Sequence, residues 1–466
     1  MDTHKPIQSI NPATEEIFAT FDYSSSAEVE QVLRAARNAF QQWRRTFLAD
    51  RAHLMRAAAS SLREQRLRLA HLITAEMGKP LREADAEVEK CAWTCEFFAD
   101  QAQDFLGDRF VESQAGQSYV QFSPLGTILA IMPWNYPLWQ VIRFAAPALM
   151  AGNTAILKPA LNVPQCALAA EEIFRSSGFP EGVFRTVFVS ESDTIRLIED
   201  PRIAAITLTG SDRASSQVAA VAGKVVKKAV LELGGSDPFI VLEDADLDAA
   251  VKTGVQARYQ NAGQSCVAAK RFIVVDAVYD NFEQQFLHAV QQLRVGDPTD
   301  PSTDVGPLAR ADLRERVEQQ VQRSLAHGAH LLMGGERLRN QGYFLAPTVL
   351  NNVGPQAPAF REEIFGPIAS LIKVYDVNEA TAVANQSPYG LGASLWTADL
   401  SLARGLAREL EAGQIFINGK VASDPRLPFG GIKRSGYGRE LAEYGILEFV
   451  NIQTVWIGPE KKDKKA

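Results

Sequence analysis

The sequence predicts an α/β fold with open, mostly parallel sheets. Three features carry that expectation. Short apolar runs such as 127–132 and 229–233 lack alternation, as strands buried on both faces do. Segments of helical periodicity are interleaved with such runs. Turns rich in glycine, proline and serine separate the two.

Taken in order, the chain first reads as helical from Ser26 to about Asp104. Val29, Val32, Leu33, Ala36 and Phe40 recur at three- and four-residue steps. Ser25 or Ser26 is placed to cap the first helix. Two further helical stretches follow, divided near Gly78-Lys79-Pro80. Residues 127–132 form the next strand. Pro133-Trp134-Asn135-Tyr136-Pro137 turns the chain into a helix over 138–150, with Pro137 suited to its first turn. Gly152 stops that helix, and 154–157 is a strand, giving a βαβ unit with a right-handed crossover. The pattern repeats with a strand at 204–208, a helix at 212–227 and a strand at 229–233. It repeats again with 393–396, 400–410 and 414–418. Gly234-Gly235 ends one strand before Pro238 begins another, so a domain boundary is expected there.

Bulk properties narrow the function. The 466 residues exceed one compact core, so two or three domains are expected. Hydrophobic content of 46% and charged content of 22% are those of a soluble globular protein. No apolar run reaches the roughly 18 residues of a membrane helix. The first residues lack the apolar core of a signal peptide, so a cytoplasmic location is expected. A net charge of −7 and the lack of a basic stripe argue against nucleic acid as a partner. Lys461-Lys462-Asp463-Lys464-Lys465 reads as a solvated tail. Four cysteines make no disulfide framework. Cys91, Cys95 and Cys166 read as structural thiols, and His327 and His330 as a surface helix end. No metal is expected.

Two compact motifs point to chemistry. Asn261-Ala262-Gly263-Gln264-Ser265-Cys266 presents a thiol among small and amide residues. Leu231-Glu232-Leu233-Gly234-Gly235 presents a carboxylate at a strand end. A nucleophilic cysteine needs access and a way to shed its proton. Ser265 is able to start a helix, which would put Cys266 at a helix N-terminus, favourable to a thiolate. Apolar flanks should bury Glu232 and raise its pKa toward that of a general base. Asn135, in a two-proline turn, is suited to donate to an oxyanion. Gly210-Ser211 is able to aim backbone amides at a phosphate. Each has a plainer reading: a core thiol, an ion-paired carboxylate, a helix cap, an ordinary turn. Their joint occurrence favours the catalytic one.

The motifs also resemble those of the aldehyde dehydrogenase superfamily, from Asn11-Pro12 to Ile457. They are Pro133-Trp134-Asn135-Tyr136-Pro137, Lys158-Pro159, Thr209-Gly210-Ser211, Glu232-Leu233-Gly234-Gly235, Gly263-Gln264-Ser265-Cys266, Glu362-Glu363-Ile364-Phe365-Gly366-Pro367, and Pro428-Phe429-Gly430-Gly431 with Ser435-Gly436-Tyr437-Gly438-Arg439-Glu440. The resemblance implies Cys266 as nucleophile, Glu232 as base and Asn135 as oxyanion donor. It implies a cofactor, NAD or NADP, held by Trp134, Lys158, Gly210, Ser211, Glu363 and Phe365. Glu440 would support a proton path. It further implies a cofactor domain over 1–103 and 125–232 and a catalytic domain over 233–434. A small β element at 104–124 and 446–458 would join subunits into a homodimer or homotetramer, with 459–466 as a tail.

Three departures from the family pattern matter. Ser215 stands where glycine is frequent, which shifts how the helix approaches the cofactor. Leu161 replaces a carboxylate that would repel the 2′-phosphate of NADP, so use of both cofactors is expected. Arg143, two turns beyond Asn135, resembles the branch acting on succinate semialdehyde, where a guanidinium takes a substrate carboxylate. A second arginine of that branch is Gln260 here, and Arg426 or Ser423 is expected to substitute. The favoured reaction is oxidation of succinate semialdehyde to succinate. The alternatives are another semialdehyde or an aliphatic aldehyde as substrate, or a cofactor-independent thiol hydrolase or acyltransferase.

Overall fold

A computed structural model of the chain describes residues 5–459; the basic run at 461–465 lies outside them. Helices Ser26–Trp43, Leu48–Glu64, Arg66–Met77 and Leu81–Leu106 fill the N-terminal region. Ser25 caps the first, and Glu28 completes a capping box. The structure divides the following stretch once more than expected, at Gln65. That residue has no proline or glycine to mark it, only backbone outside the helical region.

Two large sheets organise the rest. The six-stranded sheet runs in the order Gly436–Tyr437, Lys228–Glu232, Ile203–Thr209, Thr127–Met132, Thr154–Pro159, Phe184–Thr186. All neighbours are parallel except the short Gly436–Tyr437 edge. The seven-stranded sheet runs in the order His330–Met333, Thr348–Asn351, Ile368–Val374, Ala269–Val275, Asp237–Val241, Gly392–Trp396, Gln414–Ile417. It is parallel apart from His330–Met333. The fold is therefore α/β with open, mostly parallel sheets. The chain leaves the first sheet at Glu232 and enters the second at Asp237, across Gly234-Gly235.

A third sheet has three strands, with Val450–Ile457 pairing antiparallel to Gln117–Pro124, and Arg109–Phe110 beyond. Val450–Ile457 is an edge strand, and Ile452, Trp456 and Ile457 on it are exposed. Among the described residues no helix is long and apolar enough to cross a membrane.

The strand order positions the site. Thr127–Met132 and Ile203–Thr209 are neighbours in the six-stranded sheet, and from this pair the chain builds outward in opposite directions. Open α/β sheets bind ligands outside the carboxyl ends of strands at such a switch point. Trp134-Asn135 follow the first strand, and Gly210-Ser211 follow the second.

Candidate active site

Four consecutive strands of the six-stranded sheet deliver candidate residues along one carboxyl edge. In order these are Glu232, Gly210-Ser211, Trp134-Asn135 and Lys158. Facing them are segments that lead into two adjacent parallel strands of the other sheet. Cys266 precedes Ala269–Val275, and Glu363 and Phe365 precede Ile368–Val374.

Cys266 does not sit at a helix N-terminus, as the sequence led us to expect. A 3-10 turn, Gln260–Gly263, precedes it, and Cys266 lies in a turn entering a strand. Asn261, Ala262 and Gly263 all adopt positive φ, at 54°, 52° and 72°. This backbone is costly for Asn261 and Ala262, and the surroundings hold it in place. Asn261 Nδ2 donates to the Asn135 carbonyl at 2.9 Å and to the Gln264 carbonyl at 3.1 Å. Gln264 Oε1 accepts from the Ala309 N–H at 2.9 Å. Buried Arg258 donates to the carbonyls of Gly263, Ile364 and Gly366. A side chain at Gly263 would collide with the Gly366 carbonyl. Lys270 Nζ donates to the carbonyls of Ser265 and Cys266, each at 2.8 Å. With no helix dipole behind it, the thiol lacks that stabilisation. Burial pushes its pKa up to about 11, with Arg143 and Lys270 pulling back. The resting group is a neutral thiol that needs a base.

Cys266 and Gln140 line two cavities at once. The first cavity also holds Trp134, Asn135, Gly210, Ser211, Glu232, Glu363 and Phe365. The rings of Trp134 and Phe365 meet edge to face, with centroids 5.7 Å apart. Glu363 Oε1 accepts from the Gly235 N–H at 3.0 Å and lies 3.6 Å from Lys270 Nζ. Ser211 caps the thirteen-residue helix Asp212–Lys224. Ser215, in place of glycine, is buried and turns its hydroxyl back to the Ser211 carbonyl at 2.8 Å. Lys158, partly buried, has its pKa lowered by desolvation, with Glu191 acting the other way. The cavity's donor set fits a dinucleotide, with a carboxylate for ribose hydroxyls, a helix N-terminus for phosphate and an aromatic pair, while Lys158 stands on the neighbouring strand outside the cavity lining.

Asn135 is buried, and its Nδ2 donates to the Gln264 carbonyl at 3.1 Å. An amide nitrogen carries two protons, so one remains for a ligand.

Glu232 is buried, and both carboxylate oxygens lack a hydrogen-bond partner among the described residues. A side chain at Gly430 would approach Glu232 Oε1 to 2.6 Å, so glycine there leaves the carboxylate room. Burial raises the Glu232 pKa well above the ordinary range, and Glu440 raises it further. Glu440 forms a buried ion pair with Arg143.

The second cavity extends from Cys266 past Gln140 and Arg143 to Lys90, Lys420 and Ser423. Arg143 thus reaches the cavity wall. Its Nε faces Glu440, its Nη2 lies 3.4 Å from Thr209 Oγ1, and its guanidinium lies 4.5 Å from the Phe429 ring centre. Arg426 does not line the cavity with Cys266. It is exposed and bonds Asp424 through Nε at 2.9 Å and Nη2 at 2.6 Å. Ser423 does line it, and Lys90 Nζ donates to Ser423 Oγ at 2.7 Å. Sequence reasoning passed over Lys90, Lys270 and Arg258. Lys270-Arg271 interrupt an otherwise apolar buried strand, and that interruption was the available signal.

Cys266 thus stands between two cavities, with the buried carboxylate of Glu232 lining the first. The chain belongs to the aldehyde dehydrogenase family, whose family model matches residues 1–455. It is 52% identical over 451 residues to a probable NADP-linked succinate-semialdehyde dehydrogenase of Synechocystis sp., covering 97% of this chain and 99% of the relative. It is 49% identical to the NADP-linked succinate-semialdehyde dehydrogenase of Mycobacterium avium, covering 98% of each. Among solved structures, the succinic semialdehyde dehydrogenase of Streptococcus pyogenes with NADP+ superposes with a TM-score of 0.95 at 39% identity. That match covers 97% of this chain and 100% of the other.

Proposed function

We propose that this chain oxidises succinate semialdehyde to succinate, with NADP or NAD as hydride acceptor. One observation carries the reading: Cys266 is shared by the dinucleotide cleft and by a cavity walled with cations. The names of the relatives support the same substrate and NADP. Leu161, where a carboxylate would repel a 2′-phosphate, supports NADP use and leaves NAD acceptable.

A nicotinamide cofactor, when bound, would supply a two-electron acceptor. Trp134, Lys158, Gly210, Ser211, Glu363 and Phe365 would hold and orient it. Cys266 Sγ gives up its proton to solvent water in the open cavity and adds to the aldehyde carbon. Asn135 Nδ2 and the Cys266 N–H stabilise the oxyanion as it forms. Once the carbon is oxidised, the acyl group stays on Sγ as a thioester. Glu232 takes a proton from water, the water oxygen attacks the acyl carbon, and the C–S bond breaks to return the thiolate. Glu440 supports proton passage toward Glu232. Arg143 contributes positive potential to the substrate cavity while balancing Glu440, and Arg426 extends that potential at the surface.

The six-stranded sheet, with 1–103 and 125–232, is read as the cofactor domain, and 233–434 as the catalytic domain. The edge strand Val450–Ile457, with Ile452 and Trp456 exposed, is read as pairing with a second subunit in a homodimer or homotetramer. The enzyme is read as cytoplasmic.

The test is to mix the protein with NADP and succinate semialdehyde and follow reduced-nicotinamide absorbance. The reading predicts turnover and a kcat/KM well above that for butanal. No reduced cofactor, or equal kcat/KM for the two aldehydes, would overturn it.

A further inference from the structure

Three cations wall the cavity on the substrate side of Cys266: Arg143, Lys420 and Lys90. One has an ion-pair partner, and another has a neutral hydrogen-bond partner with a carboxylate nearby. Arg143 is ion-paired with Glu440. Lys420 Nζ donates to Gln260 Oε1 at 3.1 Å, with Glu83 as its nearby anion.

Lys90 differs. It stands on the helix Leu81–Leu106, and its ammonium donates to the neutral hydroxyl of Ser423. It lies 4.3 Å from the centre of the Trp139 ring. Among the described residues it forms no ion pair. Glu87 and Asp424 attract it and Arg143 repels it, but Glu87 is committed to Lys79 and Asp424 to Arg426. A partly buried ammonium without a counter-ion is unfavourable, and burial pulls its pKa down to about 8. Of its three protons, one is engaged by Ser423 and two remain for a ligand in the cavity. An entering carboxylate would satisfy both the charge and the donors.

We infer that Lys90, oriented by Ser423 and Trp139, receives the distal carboxylate of the substrate and so selects carboxylated over neutral aldehydes. This rests on the proposed function and goes beyond it by assigning the selection to a residue outside the family motifs.

The experiment uses the full chain with saturating NADP. It compares kcat/KM for succinate semialdehyde and for butanal in the wild type, Lys90→Met, Lys90→Arg and Arg143→Leu. Methionine keeps the apolar stem and removes the charge. The semialdehyde-to-butanal ratio should fall about 10- to 100-fold in Lys90→Met, the range expected for a lost charge-assisted hydrogen bond. The loss should appear mainly in KM, and succinate should inhibit the variant more weakly. Lys90→Arg should recover most of the ratio. A ratio unchanged in Lys90→Met, or one that collapses only in Arg143→Leu, would overturn the assignment while leaving the substrate reading intact. A wild-type ratio near one would instead overturn both.

Discussion

Arg143 and Glu440 form an ion pair buried inside one chain, and Glu440 in turn raises the pKa of Glu232. The guanidinium expected to meet the substrate is therefore also what keeps two neighbouring carboxylates in balance. Arg143→Leu would leave Glu440 buried without its partner. Such losses cost about 3–5 kcal/mol. Urea unfolding should show a drop of that size, and kcat should fall for acidic and neutral aldehydes alike. Adding Glu440→Gln should recover much of the stability.

Glu232 must be ionised to take a proton from water, and its pKa is raised by burial and by Glu440. Its base form is lost as pH falls through that raised value, so turnover should decline toward acidic pH earlier than for an ordinary carboxylate. Glu232→Gln should slow thioester hydrolysis by about 10²–10⁴-fold. Stopped-flow absorbance should then show a burst of reduced nicotinamide followed by slow turnover. A variant with no burst would place the effect before the acyl step.

Asn135 keeps one amide proton free beside Cys266. Asn135→Ala should lower kcat/KM by about 10²–10³-fold, the effect of one lost oxyanion donor. Cofactor affinity, measured by fluorescence quenching, should change little.

Leu161 sets the cofactor prediction. Comparison of kcat/KM for NADP and NAD should find NADP well used, and Leu161→Glu should shift preference toward NAD by repelling the 2′-phosphate. A wild-type preference for NAD above about a hundredfold would contradict this.

Much of this architecture was legible because it is written in local patterns. The run Thr127–Met132 was read to the residue, since a doubly buried strand is continuously apolar. The cap was narrowed to Ser25 or Ser26, because capping depends on one side chain, and the structure gives it to Ser25. The break at Gln65 was not visible, because no proline or glycine marks it. The positive-φ run Asn261 to Gly263 was equally hidden, because its supports come from Asn135, Glu83 and Gly366, far away in sequence. It replaced the expected helix N-terminus at Cys266. The same limit separates Arg426 from Lys90. Arg426 was expected to substitute for the branch's second arginine, yet Asp424 holds it at the surface, while Lys90 arrives from a helix more than three hundred residues earlier.

The central claim is that a carbonyl carbon becomes bonded to Cys266 Sγ. Rapid acid quench during the first turnover of Glu232→Gln with succinate semialdehyde and NADP, followed by peptide mass spectrometry, tests it most directly. The account predicts a succinyl group on the peptide carrying Cys266 and none in Cys266→Ala. An adduct on Cys91, Cys95 or Cys166, or turnover by Cys266→Ala, would contradict it.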